Sequence, residues 1–150
     1  MPNVERDFCE IIERGRVSYS NASSDQNRLR AEQQQAVTRE VRKGRMESLL
    51  RSPDLEDWVV TVKSVDRNFF GSDCDLRVKL PCEGTLVATV AHDSSLFSIA
   101  SNLNIGSSIR VSGALKPTQT GKDAFSELSL TESGGMDSPD FKFIVNAISH

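Results

Sequence analysis

The chain has 150 residues, 37% of them hydrophobic and 26% charged, with a formal net charge of −3. That composition suits one folded domain with an appendage and excludes a low-complexity or fibrous chain. The charge is uneven: residues 1 to 51 hold 10 Lys and Arg against 8 Asp and Glu, and residues 52 to 150 hold 8 against 13, so the larger part is acidic and poorly suited to nucleic acid.

The chain opens on a helical pattern over residues 4 to 20. Val4, Phe8, Ile11 and Ile12 share one face, and Glu5, Asp7, Glu10 and Arg14 fall elsewhere. The early acids and the lack of a continuous apolar run exclude a signal peptide or a membrane span, which predicts a cytosolic protein if the chain is complete. Ser20 to Asp25 then offer N-cap chemistry, with Ser23 and Gln26 spaced as a capping box. A second helix is expected from there to about Leu50. Residues 1–52 are thus expected to form a helical arm, a hairpin joined by a short polar turn.

Ser52-Pro53 ends the second helix, and residues 53–150 are expected to form a second unit of strands. Trp58, Val60 and Val62 alternate with polar or outward positions as a first strand. Residues 68 to 73 make a Gly-containing hairpin loop, and residues 75 to 80 a second strand. After the turn Pro81 to Gly84, residues 85 to 91 are a β-branched third strand. Leu96, Phe97, Ile99, Ala100 and Leu103 change the period to 3.6, predicting a short helix at about 95 to 103. A fourth strand follows at Ser108 to Leu115, a fifth at Ala124 to Thr131, a Gly/Ser/Pro loop at 133 to 139, and a last strand at Phe141 to Ile148.

Three strands, a helix and two strands is the order of an OB-like barrel, here extended by one strand. The expected fold is therefore mainly β (α+β): an OB-like β-barrel of five to six strands with one inserted helix, behind an N-terminal helical arm. Trp58, Val60, Leu86, Ile109, Val111 and Phe143 are its expected core.

Three cysteines cannot all pair with one another, and Cys9, Cys74 and Cys82 match no zinc spacing. Cys74 and Cys82 bracket an alternating strand that would hold them roughly 26 Å apart, too far for a disulfide. All three are expected to be free thiols, with no metal and no cofactor.

The motifs DWVVTV, SLFSIASNLNIGSSIRVSGAL and ELSLTESGGMDSPDFKFIVNAI together resemble an uncharacterised family of bacterial OB-like proteins with a helical segment ahead of the barrel. The resemblance covers about 95 residues well and the arm loosely, as when core positions dominate a pattern. It implies a fold and carries over no activity, ligand or catalytic residue.

Candidate sites therefore rest on the residues. For a ligand face the candidates are Phe69 and Phe70 in the first hairpin loop, with Arg67, Arg77, Lys79 and Arg110 nearby. Single-stranded nucleic acid needs both a basic groove and aromatic platforms, and the acidic balance of the barrel disfavours it. For contact through the arm they are Phe8, Ile11 and Ile12, with the basic run Arg42, Lys43 and Arg45; lone helices cannot bury such apolar residues in water. No catalytic residue is assigned. His92-Asp93-Ser94-Ser95 holds the residue types of a hydrolase, but adjacent residues do not converge as a triad must. The expectation is a non-enzymatic binding module, working through a protein partner or self-association of the arm. A weak single-stranded nucleic-acid binder is the alternative, and a hydrolase using His92 a remote third.

Overall fold

The computed structural model describes residues 1–67, 73–118, 121 and 123–150, with the side chain of Arg67 also left aside. Phe69 and Phe70 lie outside the described residues.

The arm is a pair of helices, α1 (Asn3–Ser23) and α2 (Arg28–Leu49). The turn between them is polar, as expected. The capping residue of α2 is Asn27 and not Ser23: its side chain accepts the N–H of Arg30 at 3.0 Å, the local bond that favours Asn at this position.

Five strands follow, β1 (Asp54–Arg67), β2 (Cys74–Lys79), β3 (Thr85–Val90), β4 (Ser108–Leu115) and β5 (Asp140–Ser149). They close into a mixed barrel in the order β1-β2-β3-β5-β4. Only β3 and β5 run parallel; all other neighbours are antiparallel. Long β1 serves two partners, its first half pairing with β4 and its second with β2. It bends at a register shift between Leu55 and Trp58, where Asp57 takes a positive φ of 52° and donates its N–H to Ser112 Oγ. The helix α3 (Phe97–Ser101) sits between β3 and β4, shorter than the expected 95 to 103.

The expected strand at residues 124 to 131 is not a strand. It makes only isolated bridges, Pro117 with Phe125 and Glu127 with Phe141. Glu127 accounts for this: its carboxylate takes the N–H groups of Ser129 at 2.7 Å and Asp140 at 3.0 Å, in place of ladder partners. The barrel therefore has five strands, not six. The Gly/Ser/Pro stretch expected as a loop is instead a short helix, α4 (Glu132–Asp137). Thr131 caps it through Gly134 N–H, and it buries Met136.

All six expected core residues of the barrel are buried. One apolar cluster joins them to Phe8, Cys9, Ile12, Met46 and Leu50 of the arm. The ring of Phe8 lies 5.3 Å from that of Trp58 and 5.6 Å from that of Phe141, within the range where aromatic pairs attract. The arm is thus docked on its own barrel, with α1 against the sheet and α2 against α1.

Candidate functional site

The arm meets the barrel through a joint more elaborate than apolar contact. Cys9 on α1 and Cys82 in the β2–β3 turn form a disulfide, with Cα atoms 5.6 Å apart, and Cys74 is a buried cysteine outside it. This corrects the expectation of three free thiols. Strand geometry rightly separates Cys74 from Cys82, but it says nothing of a helix 73 positions upstream that folds back over the turn.

Glu5 is a second correction, since the helical spacing sets it off the apolar face. The buried stripe of α1 is Glu5, Phe8, Cys9, Ile12, Gly15, Tyr19 and Ala22, one position on from the stripe read through Val4, which is exposed. Glu5 Oε1 accepts the N–H of Val59 at 2.9 Å, just past the bend in β1, and Oε2 is buried without a partner. Burial raises the Glu5 pKa to about 7, against the opposing pull of the Val59 hydrogen bond and the N-terminal ammonium.

On the far side of the arm, Arg42 is also buried. Its guanidinium donates to the carbonyl of Gly135 at 2.9 Å and to Asp123 at 3.2 Å. Burial lowers its pKa, with Asp123 working the other way. Nearby, Glu132 accepts the Tyr19 hydroxyl at 3.1 Å and stands 2.8 Å from Arg39 Nε, an ion pair not aligned as a hydrogen bond. Lys43 Nζ donates to the carbonyl of Gly121 at 2.7 Å. These groups join α1, α2 and α4 to the strand connection around Asp123.

Most of the residues expected to form an interaction arm are therefore spent within the fold. Phe8, Ile12 and Arg42 are buried and Lys43 is tied to a carbonyl, whereas Ile11 is half-buried and Arg45 exposed. What the arm offers outward is a groove between its two helices. Its wider part, about 470 Å³, is lined by Ser18, Ala22, Gln34, Val37 and Thr38. It continues past Gly15, Val41 and Arg45. Gly15 lets the helices approach, since a Cβ there would stand 3.0 Å from Arg42 Cδ. Val17, Val37 and Val41 are exposed at the lip.

The barrel wall presents the remaining candidates. Lys79 and Arg110 are exposed and Arg77 is half-buried; Lys63, which the sequence does not single out, is exposed beside them. The register links them: Thr61 pairs with Lys79 on one side and Ser108 on the other, Ser64 with Arg77, and Val59 with Arg110. Every described Phe, Tyr and Trp ring is buried or half-buried, and Phe69 and Phe70, the candidate stacking platforms, lie outside the described residues.

The histidine loop does not assemble a triad. His92 gives its N–H to Asp73 Oδ1 at 3.0 Å, and its Nδ1 lies 3.0 Å from the same oxygen. Those two bonds hold the Asp73 carboxyl below its ordinary pKa. Ser94 Oγ accepts the N–H of Leu96 at 3.2 Å, and Ser95 and Asp93 face solvent. Among the described residues no three His, Cys, Asp or Glu side chains gather as metal ligands, and no helix is long and apolar enough to cross a membrane.

Comparison with family models, curated proteins and solved structures finds no match to this chain.

Proposed function

We propose that this protein is a non-enzymatic, OB-like binding module that assembles through the outer face of its helical hairpin with a second copy of itself. The observation that carries this reading is that the same face supplies both a groove and the side chains to fill one. Small residues, Gly15, Ser18 and Ala22, floor the groove, and Val17, Val37 and Val41 project beside it. A two-fold interface places identical surfaces against each other, so it needs knob and hole on one patch. Docking the arm on the barrel makes that patch rigid before any partner arrives, which lowers the ordering cost of association.

We also propose, against the cytosolic expectation drawn from the N-terminal residues, that the chain works in an oxidising compartment, because bonds such as Cys9–Cys82 persist there and are reduced in the cytosol. The resemblance to bacterial OB-like proteins with a helical segment remains part of this reading. The nucleic-acid alternative has cations in its favour but no described aromatic platform.

Sedimentation equilibrium tests the assembly. The wild-type chain should sediment as a concentration-dependent dimer, and Val37→Asp should return it to a monomer with an unchanged melting temperature. A wild-type chain that stays monomeric up to the highest soluble concentration, or a dimer indifferent to Val37→Asp and Val41→Asp, would overturn it.

A further inference from the structure

The acidic balance of the barrel hides a local reversal of charge. Six of the ten cations of the arm stand in ion pairs, Arg14 with Glu10, Arg16 with Glu13, Arg28 with Glu32, Arg30 with Asp25, Arg39 with Glu132 and Arg42 with Asp123. On the barrel wall the unpaired cations fall together in the strand register. Among the described residues, Lys63, Arg77, Lys79 and Arg110 form no ion pair.

Their order follows from the register. Arg77 and Lys79 are two residues apart on one face of β2, Lys63 is the extra residue at the shift between Val62 and Ser64 of β1, and Arg110 lies across β1 on β4. With strands about 4.8 Å apart and about 3.3 Å per residue, the four make a diagonal line on the order of 20 Å long. The outward positions between them are Thr61 and Ser108, both uncharged. The acids stand at the two ends, Asp75 and Asp66 beyond Arg77, and Glu56 and Asp57 beyond Arg110. Asp75 is moreover held by the hydroxyl of Thr89 at 2.9 Å.

Unpaired cations on a wall repel one another, which costs stability unless an anion is there to meet them. A line suits a linear polymer better than a flat lipid surface. The Cys9–Cys82 disulfide argues for a compartment where nucleic acid is not the resident polyanion. We infer that Lys63, Arg77, Lys79 and Arg110 form a binding track for an anionic polysaccharide, laid diagonally across β2, β1 and β4. Binding there is independent of the hairpin face, so either proposal survives the failure of the other.

The test is fluorescence anisotropy of the full chain with a labelled oligogalacturonate, beside an uncharged oligosaccharide of equal length and a single-stranded oligonucleotide of equal charge. The acidic oligosaccharide should bind at low salt and weaken steeply as salt rises, and the uncharged one should not bind. Lys79→Glu with Arg110→Glu should weaken binding by about tenfold or more, whereas Arg28→Glu on the far helix should leave it unchanged. If the double reversal fails to fold by circular dichroism, Lys79→Gln with Arg110→Gln replaces it with the same expectation. The inference is overturned by equal binding of charged and uncharged oligosaccharides, by indifference to the substitutions, by no binding at all, or by tighter binding of the oligonucleotide.

Discussion

Glu5 is the residue whose chemistry the fold changes most. Its ordinary pKa of 4.5 rises to about 7 in the folded chain, so between these values the folded state keeps a proton that the unfolded state has released. Stability must then fall as pH rises through that window, by up to roughly 3 kcal/mol. Thermal melts from pH 4.5 to 7.5 should show this decline. Glu5→Gln keeps an acceptor for the Val59 N–H but cannot ionise, and so should flatten it and leave the variant the more stable protein at pH 7.5. An unchanged slope in Glu5→Gln would assign the pH dependence to other groups. The sequence did not disclose any of this, because a charged residue beside a helix's apolar stripe is ordinarily a solvated one; the bend in β1 at Asp57, which presents the Val59 N–H, is made by distant pairing with β4.

Among the elements, the seam between β4 and β5 and the tie between α1 and the β2–β3 turn carry the sharpest expectations. At Gly113, beside the register shift in β4, a Cβ would come within 1.9 Å of the Ile144 carbonyl oxygen. Gly113→Ala must therefore push β5 away, at a cost of about 3 kcal/mol, with faster amide exchange in β5. Gly44, in the exposed part of α2, would meet nothing within 4 Å, so Gly44→Ala should stabilise by about 1 kcal/mol through helix propensity alone. Urea melts of the pair test this, and equal effects at the two sites would show that packing at the seam is looser than described. The disulfide closes a separation of 73 positions, which in the chain-entropy account is worth about 4 kcal/mol. Reduction, or Cys9→Ser with Cys82→Ser, should lower stability by an amount of that order. Peptide mapping without reductant should recover residues 9 and 82 in one fragment, with Cys74 alkylated only after unfolding; a linkage of Cys74 to either partner would refute the pairing.

At the scale of the whole molecule, the arm and the barrel share one core, and two surfaces remain outside it. The hairpin groove carries the exposed Val17, Val37 and Val41 at its lip among polar lining residues such as Ser18, Asn21, Gln34 and Thr38, and the barrel track is cationic. They lie on different elements and respond to different variables: assembly through valines should resist salt, whereas a polyanion on exposed cations should be lost as salt rises. A salt titration that moved sedimentation and polysaccharide binding together would show that the two surfaces are one, contrary to both proposals.

The sequence by itself determined the local periodicities and, through them, the fold. An amphipathic first helix, a second helix behind a capping turn, alternation in β1, β2 and β4, the β-branched run of β3 and a change of period at α3 were legible, as were Trp58, Val60, Leu86, Ile109, Val111 and Phe143 as barrel core, because such patterns report burial one element at a time. The tertiary structure decided what no single element contains. It chose five strands over six, since Glu127 turned its carboxylate onto the backbone. It made a helix of Glu132–Asp137, since Met136 had a core to enter and Gly135 an arginine to meet. It joined Cys9 to Cys82, buried Glu5 and Arg42, and aligned Lys63, Arg77, Lys79 and Arg110 across three strands. Each of those outcomes depends on which distant segment arrives beside a residue, and spacing along the chain carries no record of that arrival.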